Sequence, residues 1–132
     1  MRIGELATAT GTTAKTIRFY EESGLVPPPP RTPSGYREYP PESRGRLTFI
    51  REAASAGLSL AEIRGVLALS DAGQPPCLHV TELLAEHLRQ VEQRITELEH
   101  AREALRDLHA LAAATDPADC AKNGICSILT TP

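Results

Sequence analysis

The chain of 132 residues has no tryptophan and few aromatic residues of any kind, at 4% of the sequence. It also lacks an apolar run of the length, about eighteen residues or more, that a membrane-spanning helix needs. No charged-then-apolar leader follows Met1. These absences predict a soluble, cytoplasmic protein without membrane contact. With so few aromatic residues, we expect a small domain with an oligomerisation arm rather than one large core.

Recognisable catalytic signatures are missing as well. The sequence holds no Ser/His/Asp grouping, Walker loop or dinucleotide fingerprint, so we do not expect an enzyme. The cysteines number three, an odd count that fits a disulfide framework poorly and metal-binding thiolates better. The chain is therefore expected to bind its partners rather than to catalyse a reaction.

Charge is distributed unevenly along the chain, although the net charge is only −3. Residues 1–51 carry eight Lys and Arg against five Asp and Glu, a balance of +3. Residues 71–132 carry five against ten, a balance of −5. A basic front and an acidic rear indicate an anionic partner for the front part alone.

One long stretch has the pattern of a helix with a single apolar seam. It begins at about Leu78 and ends at Asp116–Pro117, and its apolar residues recur mostly at steps of three and four. The seam consists of Leu84, Leu88, Val91, Ile95, Leu98 and Leu105. Because a solitary helix with such a stripe needs a partner helix, residues 77–116 are predicted to form the dimerisation helix of a homodimer.

The positions of the cysteines suggest a metal site across that dimer. Cys77 stands at the front of the long helix, and Cys120 and Cys126 follow its end. A helix over this span is roughly 55 Å long, so Cys77 should lie far from the other two cysteines of its own chain. If two helices pair antiparallel, Cys77 of one chain meets Cys120 and Cys126 of the other, at two identical sites.

Thiolates select soft or borderline ions, which makes Zn, Cd, Pb and Hg the candidate metals. Three sulfurs satisfy a trigonal Pb or Hg ion, whereas zinc requires a fourth ligand. His79, two residues after Cys77, is the nearest candidate for that ligand, with Asp119 and water as others. Residues 117–132 are therefore predicted to form a metal-binding loop and C-terminal tail.

The front of the chain has the outline of a helix-turn-helix. A short helix from Ile3 to Ala9 is followed by a turn at residues 10–12, and Thr13 is a good N-cap for a second helix that Gly24 stops. The second helix presents side chains able to bond phosphates or base edges. These are Lys15, Thr16, Arg18 and Tyr20.

A small wing is predicted beside this pair of helices. Four prolines at residues 27–30 form a stiff extended segment, and residues 31–39 read as a hairpin around a Pro-Ser-Gly turn. Its tip would present Arg31, Tyr36 and Arg37 to phosphates. Residues 1–70 are predicted to form the DNA-binding domain, with residues 71–76 as a hinge before the long helix.

Two further helices complete the predicted DNA-binding domain. One runs from Pro41 to Ala56, and the other follows a Ser59 cap with Glu62 at the capping-box position. The inward residues expected are Leu47, Phe49, Ile50 and Ala54 in the first, and Leu58, Leu60, Ile63, Val66 and Leu67 in the second.

Taken together, the front third resembles the MerR family of transcription regulators. The motifs that carry the resemblance are Ile3-Gly4-Glu5-Leu6-Ala7, Thr10-Gly11, Thr16-Ile17-Arg18-Phe19-Tyr20-Glu21, Gly24-Leu25 and Ser34-Gly35-Tyr36-Arg37. The resemblance implies a homodimer that holds a promoter with an over-long spacer and distorts that DNA when an effector binds, so that RNA polymerase can start.

The fold class expected is all-α with a small β wing: a winged helix-turn-helix domain, a long antiparallel coiled-coil helix and a C-terminal metal-binding loop. Double-stranded promoter DNA is the expected partner. The predicted DNA-binding residues are Thr13, Lys15, Thr16, Arg18, Tyr20, Arg31, Tyr36 and Arg37.

The rear third resembles the metal-sensing branch of that family. A cysteine at the start of the long helix is similar to the divalent-ion sensors, and Cys126-Ser-Ile-Leu129 is similar to the ending of the zinc, cadmium, lead and mercury group. The loop between Cys120 and Cys126 lacks the additional Cys or His that zinc members place there. The function predicted is transcription activation in response to a soft or borderline divalent ion.

Other regulators of the same fold are the alternative. An iron–sulfur cluster normally needs four cysteines, more than this chain offers. An organic effector needs a pocket domain after the long helix, and only residues 117–132 follow it. The alternative function is a redox-responsive or small-molecule-responsive regulator.

Overall fold

The computed structural model describes residues 1–120 and 124–130, and they are almost wholly helical. The helices are α1 (Ile3–Thr10), α2 (Ala14–Glu22), α3 (Glu42–Ser55), α4 (Leu60–Asp71), α5 (Cys77–Ala114) and α6 (Pro117–Cys120). Within the described residues, strand pairing is limited to one antiparallel bridge, between Arg31 and Arg37. The mostly helical fold class is confirmed, while the predicted hairpin is reduced to a turn closed by that bridge.

The ends of the helices follow from local chemistry. Thr13 Oγ1 accepts the amide of Thr16 at 3.1 Å, so the predicted cap of α2 is confirmed. The predicted capping box of α4 is also confirmed, because Ser59 Oγ accepts the amide of Glu62 and the Glu62 carboxylate accepts the amide of Ser59. Gly11, at φ +65°, ends α1 in the left-handed conformation that glycine adopts most easily.

The chain divides into two compact units, residues 1–87 and residues 88–132. The first unit holds the buried core, to which every helix from α1 to α4 contributes. Its members are Leu6, Ala7, Ile17, Leu25, Val26, Tyr39, Leu47, Ile50, Ala53, Leu58, Ile63 and Leu67. Two inward predictions were wrong: Ala53 rather than Ala54 is buried in α3, and Leu60, the first residue of α4, is 37% exposed.

The beginning of α5 docks on α4 within the first unit. Leu83 packs against the core, and His87 Nε2 lies 2.9 Å from Glu62 Oε1. A Cβ added at Gly65 would lie 3.8 Å from His79 Nε2, so that imidazole lies against the middle of α4. These three α5 residues are spaced by four, which places them on one face of the helix.

The second unit consists of the rest of α5, α6 and the tail. None of the 38 residues of α5 is buried. The predicted seam is exposed along its length, with Leu88 at 58% and Leu98 at 69%. Across the described residues, no helix has the combination of length and apolarity that spanning a bilayer demands.

Substitution of Gly11 tests the turn between α1 and α2. We expect Gly11→Ala to destabilise the protein by about 1–2 kcal/mol, because the left-handed backbone disfavours a Cβ. The new Cβ would also lie 2.5 Å from Arg51 Nη1, which donates to the Thr10 carbonyl at 2.8 Å. Urea unfolding at fixed protein concentration measures the change.

Gly45 provides the matched control. It lies inside α3 with nothing within 4 Å of an added Cβ. Gly45→Ala should therefore stabilise the protein by about 0.5–1 kcal/mol. Equal effects of the two substitutions would contradict the assignment of Gly11 to a turn that requires a left-handed backbone.

Candidate nucleic-acid interface and metal centre

The exposed side of α2 is the first part of the candidate nucleic-acid interface. Lys15 and Arg18 are exposed, one turn apart, while Ile17 on the other side is fully buried. Phe19 is 49% exposed, whereas Tyr20 packs partly against the core. Tyr20 was predicted as a DNA contact and Phe19 was not, although Phe19 falls four residues after Lys15 on the same helical face. The face thus combines two cations with one aromatic ring.

The side chains of Thr13 and Thr16 hydrogen-bond to each other at the start of α2. Their hydroxyls lie 2.9 Å apart, and Thr13 Oγ1 also accepts the Thr16 amide. Both side chains are therefore held at the N-terminus of α2. The positive end of the helix dipole lies there, and it favours an anionic partner such as a phosphate.

The wing is a closed turn that displays Tyr36. Thr32 N donates to the Tyr36 carbonyl at 2.7 Å, and Arg31 Nη1 donates to the Gly35 carbonyl at 2.8 Å. Tyr36 is 57% exposed, and the Arg2 guanidinium stacks 4.3 Å from its ring centre. Arg2 was missed by sequence analysis, because nothing in its local pattern shows that it meets residue 36.

Glu21 links α2 to the wing. Arg37 Nε lies 3.2 Å from Glu21 Oε2, and the Tyr39 hydroxyl donates to the same oxygen at 3.4 Å. The buried Arg37 Nε has no hydrogen-bond partner with good geometry among the described residues. Burial and the neighbouring Glu21 carboxylate raise the pKa of Tyr39. Arg37, predicted as a DNA contact, therefore also holds the wing against the helix that precedes it.

Two of the three predicted metal-binding thiols lie together. Cys120 Sγ and Cys126 Sγ are 3.4 Å apart, and both side chains are partly exposed. Zinc–sulfur bonds of about 2.3 Å at a tetrahedral angle place two sulfurs roughly 3.8 Å apart, so this pair fits one ion after a small adjustment. The two thiols therefore suit a soft metal ion.

Local hydrogen bonds position this thiol pair. Asp116 Oδ1 accepts the Ala118 amide at 2.9 Å, which caps α6, and Pro117 occupies its first position. The Ser127 amide donates to the Cys120 carbonyl at 2.9 Å, which brings the segment after Cys126 back onto α6. A turn of three residues then follows Cys126.

That turn also favours the thiolate of Cys126. Hydrogen bonds from the Leu129 amide, the Cys120 side chain and the Ile128 amide, in that order, lower the pKa of Cys126. The sequence pattern could not predict this effect, because it depends on two amides folding back to the sulfur. The result is a thiol biased towards the thiolate, which is the form that binds metal ions.

Cys77 and His79 lie in the first unit, whereas Cys120 and Cys126 lie in the second. Cys77 is exposed at the first position of α5, and His79 turns towards α4. Among residues 1–120 and 124–130 of a single chain, no three Cys, His, Asp or Glu side chains are grouped closely enough to hold a metal ion. Within the described part of one chain, the Cys120–Cys126 pair is thus the group of neighbouring thiols that could contribute to a metal site.

Comparisons with known proteins agree on one family. Residues 1–70 match the model of the MerR HTH family regulatory protein, and residues 44–108 match the model described as MerR, DNA binding. A regulator named as a ZntR homolog in Haemophilus influenzae is 40% identical, over 88% of this chain and 86% of the relative. The regulator CueR of Escherichia coli is 38% identical, over 91% and 89% of the two chains.

Solved structures give the same result. The transcription regulator PbrR691 from Ralstonia metallidurans, crystallised in complex with lead(II), is 35% identical and has a TM-score of 0.76. The match covers 98% of this chain and 96% of that one. A MerR family regulator bound to promoter DNA, HiNmlR, has a TM-score of 0.58 at 24% identity, which shows a shared fold alone.

The amides that surround Cys126 can be tested by alkylation. Leu129→Pro removes the N–H with the largest effect, so the pKa of Cys126 should rise towards its ordinary value. The pH profile of iodoacetamide labelling, read on the tryptic peptide 123–132, should then shift to higher pH. Leu129→Ala is the control, since the 73% exposed side chain is lost while the amide is kept. An unchanged profile in the proline variant would rule out this cause.

Proposed function

The chain belongs to the MerR family of helix-turn-helix regulatory proteins, and on that premise we propose that it is a metal-responsive transcription regulator of promoter DNA. The observation that carries the proposal is the Cys120–Cys126 thiol pair, 3.4 Å apart, in a chain whose first unit has a helix-turn-helix. The names of the relatives give independent support, since one structure was solved with lead(II). The ion proposed is Zn, Cd, Pb or Hg.

The proposed DNA-binding surface is the exposed side of α2 together with the wing. Lys15 and Arg18 would neutralise phosphates or read base edges, and Tyr36 would extend the contact beside α2. Glu21 on α2 connects the helix to the wing through its contacts with Arg37 and Tyr39. The remaining proposed contacts are Thr13, Thr16, Tyr20, Arg31 and Arg37.

Dimerisation is proposed through α5. Its 38 residues bury no side chain, and its apolar residues form a seam that is about half exposed at Val91 and Ile95. Covering such a stripe is worth about 25 cal/mol for each Å² of apolar surface removed from water. A second copy in antiparallel orientation would cover the seam and carry two DNA-binding units on one symmetric dimer.

The metal centre is proposed to form between the two chains. Helix α5 is roughly 57 Å long at 1.5 Å per residue, so an antiparallel pair brings the start of one helix to the end of the other. Cys77 of one chain would then join the thiol pair of its partner. His79 stays a predicted fourth ligand for an ion that demands four, as zinc does.

The proposed mechanism couples this centre to the promoter. Cys77 of one chain and the Cys120–Cys126 pair of its partner would hold the ion, whose positive charge would stabilise the three thiolates and so tie the start of one α5 to the segment that follows the other. The dimer would then hold the two halves of an over-long promoter spacer in a distorted geometry that RNA polymerase can use. The energy for the distortion comes from phosphate contacts on both sides of the spacer.

DNA binding can be tested at Arg18. Arg18→Ala should weaken promoter binding by roughly a hundredfold, because the proposed dimer loses two contacts worth about 1.4 kcal/mol each. The dependence on salt should also become shallower if the contact is to a phosphate. Fluorescence anisotropy with promoter DNA at several salt concentrations measures both. Arg94→Ala, which removes the same charge from α5, is the control, and equal losses in the two variants would contradict the proposed surface.

The shared metal centre can be tested by complementation. A Cys77→Ser chain is mixed with a Cys120→Ser/Cys126→Ser chain, and the heterodimer is purified with two different tags. One end of this heterodimer has all three thiols and the other has none, so tight binding of up to one Cd²⁺ per heterodimer is expected. Each homodimer lacks a complete site. A verified heterodimer that binds no metal tightly, while the unsubstituted protein does, would refute the shared site.

A further inference from the structure

The thiol pair has a chemistry of its own, apart from metal binding. Cys120 Sγ and Cys126 Sγ are in contact at 3.4 Å, and both residues are partly exposed. A disulfide bond is about 2.05 Å long, so closing the pair requires the sulfurs to approach by roughly 1.4 Å. Cys77 belongs to the other unit of the chain. Within the described part of one chain, the pair is therefore set for an internal reaction.

We propose that Cys120 and Cys126 form a reversible disulfide when a hydroperoxide oxidises them, and that this disulfide prevents metal binding. The covalent half of the proposal depends on the thiol pair alone. The regulatory half rests on the proposed function, because it assumes that the same two sulfurs hold the metal ion.

The reaction has two steps and balances with one hydroperoxide. The thiolate of one cysteine attacks a peroxide oxygen, an S–O bond forms, the O–O bond breaks, and the leaving alkoxide or hydroxide takes a proton. The second thiolate attacks the resulting sulfenic sulfur, the S–S bond forms, and the S–O bond breaks to release water. Two electrons pass from the thiols to the peroxide, and the two thiol protons end on the released alcohol and water.

The local structure favours the second step over further oxidation. The Ser127 amide donates to the Cys120 carbonyl at 2.9 Å. This hydrogen bond keeps the backbone of Cys120 next to the backbone that follows Cys126. A sulfenic acid at either residue would therefore have the other sulfur in contact with it. An internal thiol that reacts at once protects the first cysteine from the irreversible sulfinic and sulfonic states.

The disulfide would also be incompatible with the metal site. Metals of this class bind thiolates, and a disulfide has none to give. Thiols such as glutathione reduce it again by exchange, so the loss of metal binding would last only while the oxidant exceeds the reductant. The chain would then respond to metal ions in a reducing environment and ignore them under peroxide stress.

Peptide mass spectrometry of the full chain tests the covalent half. The reduced protein is treated with one equivalent of hydrogen peroxide per chain, and free thiols are then alkylated. We expect the number of alkylated cysteines to fall from three to one, with a loss of two hydrogens. Trypsin cleaves after Arg106 and Lys122, so residues 107–122 and 123–132 should appear as one linked pair that separates on reduction. Links that contain peptide 65–89, which holds Cys77, would overturn the proposal.

Three variants serve as controls. Cys77→Ser should form the same linked pair, because it keeps both sulfurs of the proposed disulfide. Cys120→Ser and Cys126→Ser should each fail to form it. If either single variant retained an internal link, or if the unsubstituted protein stopped at sulfinic acid, the assigned pair would be wrong.

Cadmium titration tests the regulatory half. The reduced protein should show a thiolate-to-metal absorption band with CdCl₂, the peroxide-treated protein should lose it, and dithiothreitol should restore it. An oxidised protein with the linked pair that still bound Cd²⁺ fully would overturn the regulatory half. If instead the reduced protein bound no Cd²⁺, the proposed function would fail and the regulatory half with it. The peptide result would still decide separately whether the disulfide forms.

Discussion

An exposed apolar seam on a long helix is the constraint on which the rest of this molecule depends. Helix α5 has 38 residues and buries none of them, although Leu84, Val91 and Ile95 lie along one stripe. Isolated helices gain little from propensity alone, and most helical stability in proteins comes from packing an apolar face. A second copy of the chain is the proposed cover, and the dimer, the shared metal centre and the spacing of two DNA-binding units all follow from it.

The two ends of this helix are built differently. At its start, Leu83 packs against the core of the first unit, and His87 Nε2 lies 2.9 Å from Glu62 Oε1 on α4. At its far end, α6 and a short turn hold Cys120 and Cys126 in contact. One end therefore contacts the first unit, and the other leads to the thiol pair that we propose as a metal ligand and a disulfide. Helix α5 (Cys77–Ala114) connects the two.

Sequence patterns predicted the local features well because local chemistry determines them. The caps at Thr13 and Ser59 were confirmed, since each depends on residues within one helical turn. The prediction that Ala54 faces inward was wrong by one position, because Ala53 is the buried residue. A shift of one residue rotates a side chain by about 100° around α3. The spacing of apolar residues does not distinguish these two neighbouring alanines. The stacking of Arg2 on Tyr36 could not be predicted, because residues distant in sequence meet only after the core has formed. Cys120 and Cys126 were predicted to share one metal site because both follow the end of the long helix, but the amides that favour the Cys126 thiolate were not predicted.

The Glu62 carboxylate contacts both the first turn of its own helix and the neighbouring helix α5. It accepts the Ser59 amide at the start of α4 and lies 2.9 Å from His87 on α5, and these hydrogen bonds lower the pKa of Glu62, the Ser59 amide most of all. A rotation of α5 that drew His87 away would pull on the same group that closes the first turn of α4. The carboxylate that completes the capping box of α4 is therefore also the partner of the His87 imidazole on α5, and a substitution at either Ser59 or His87 would change the surroundings of the same group.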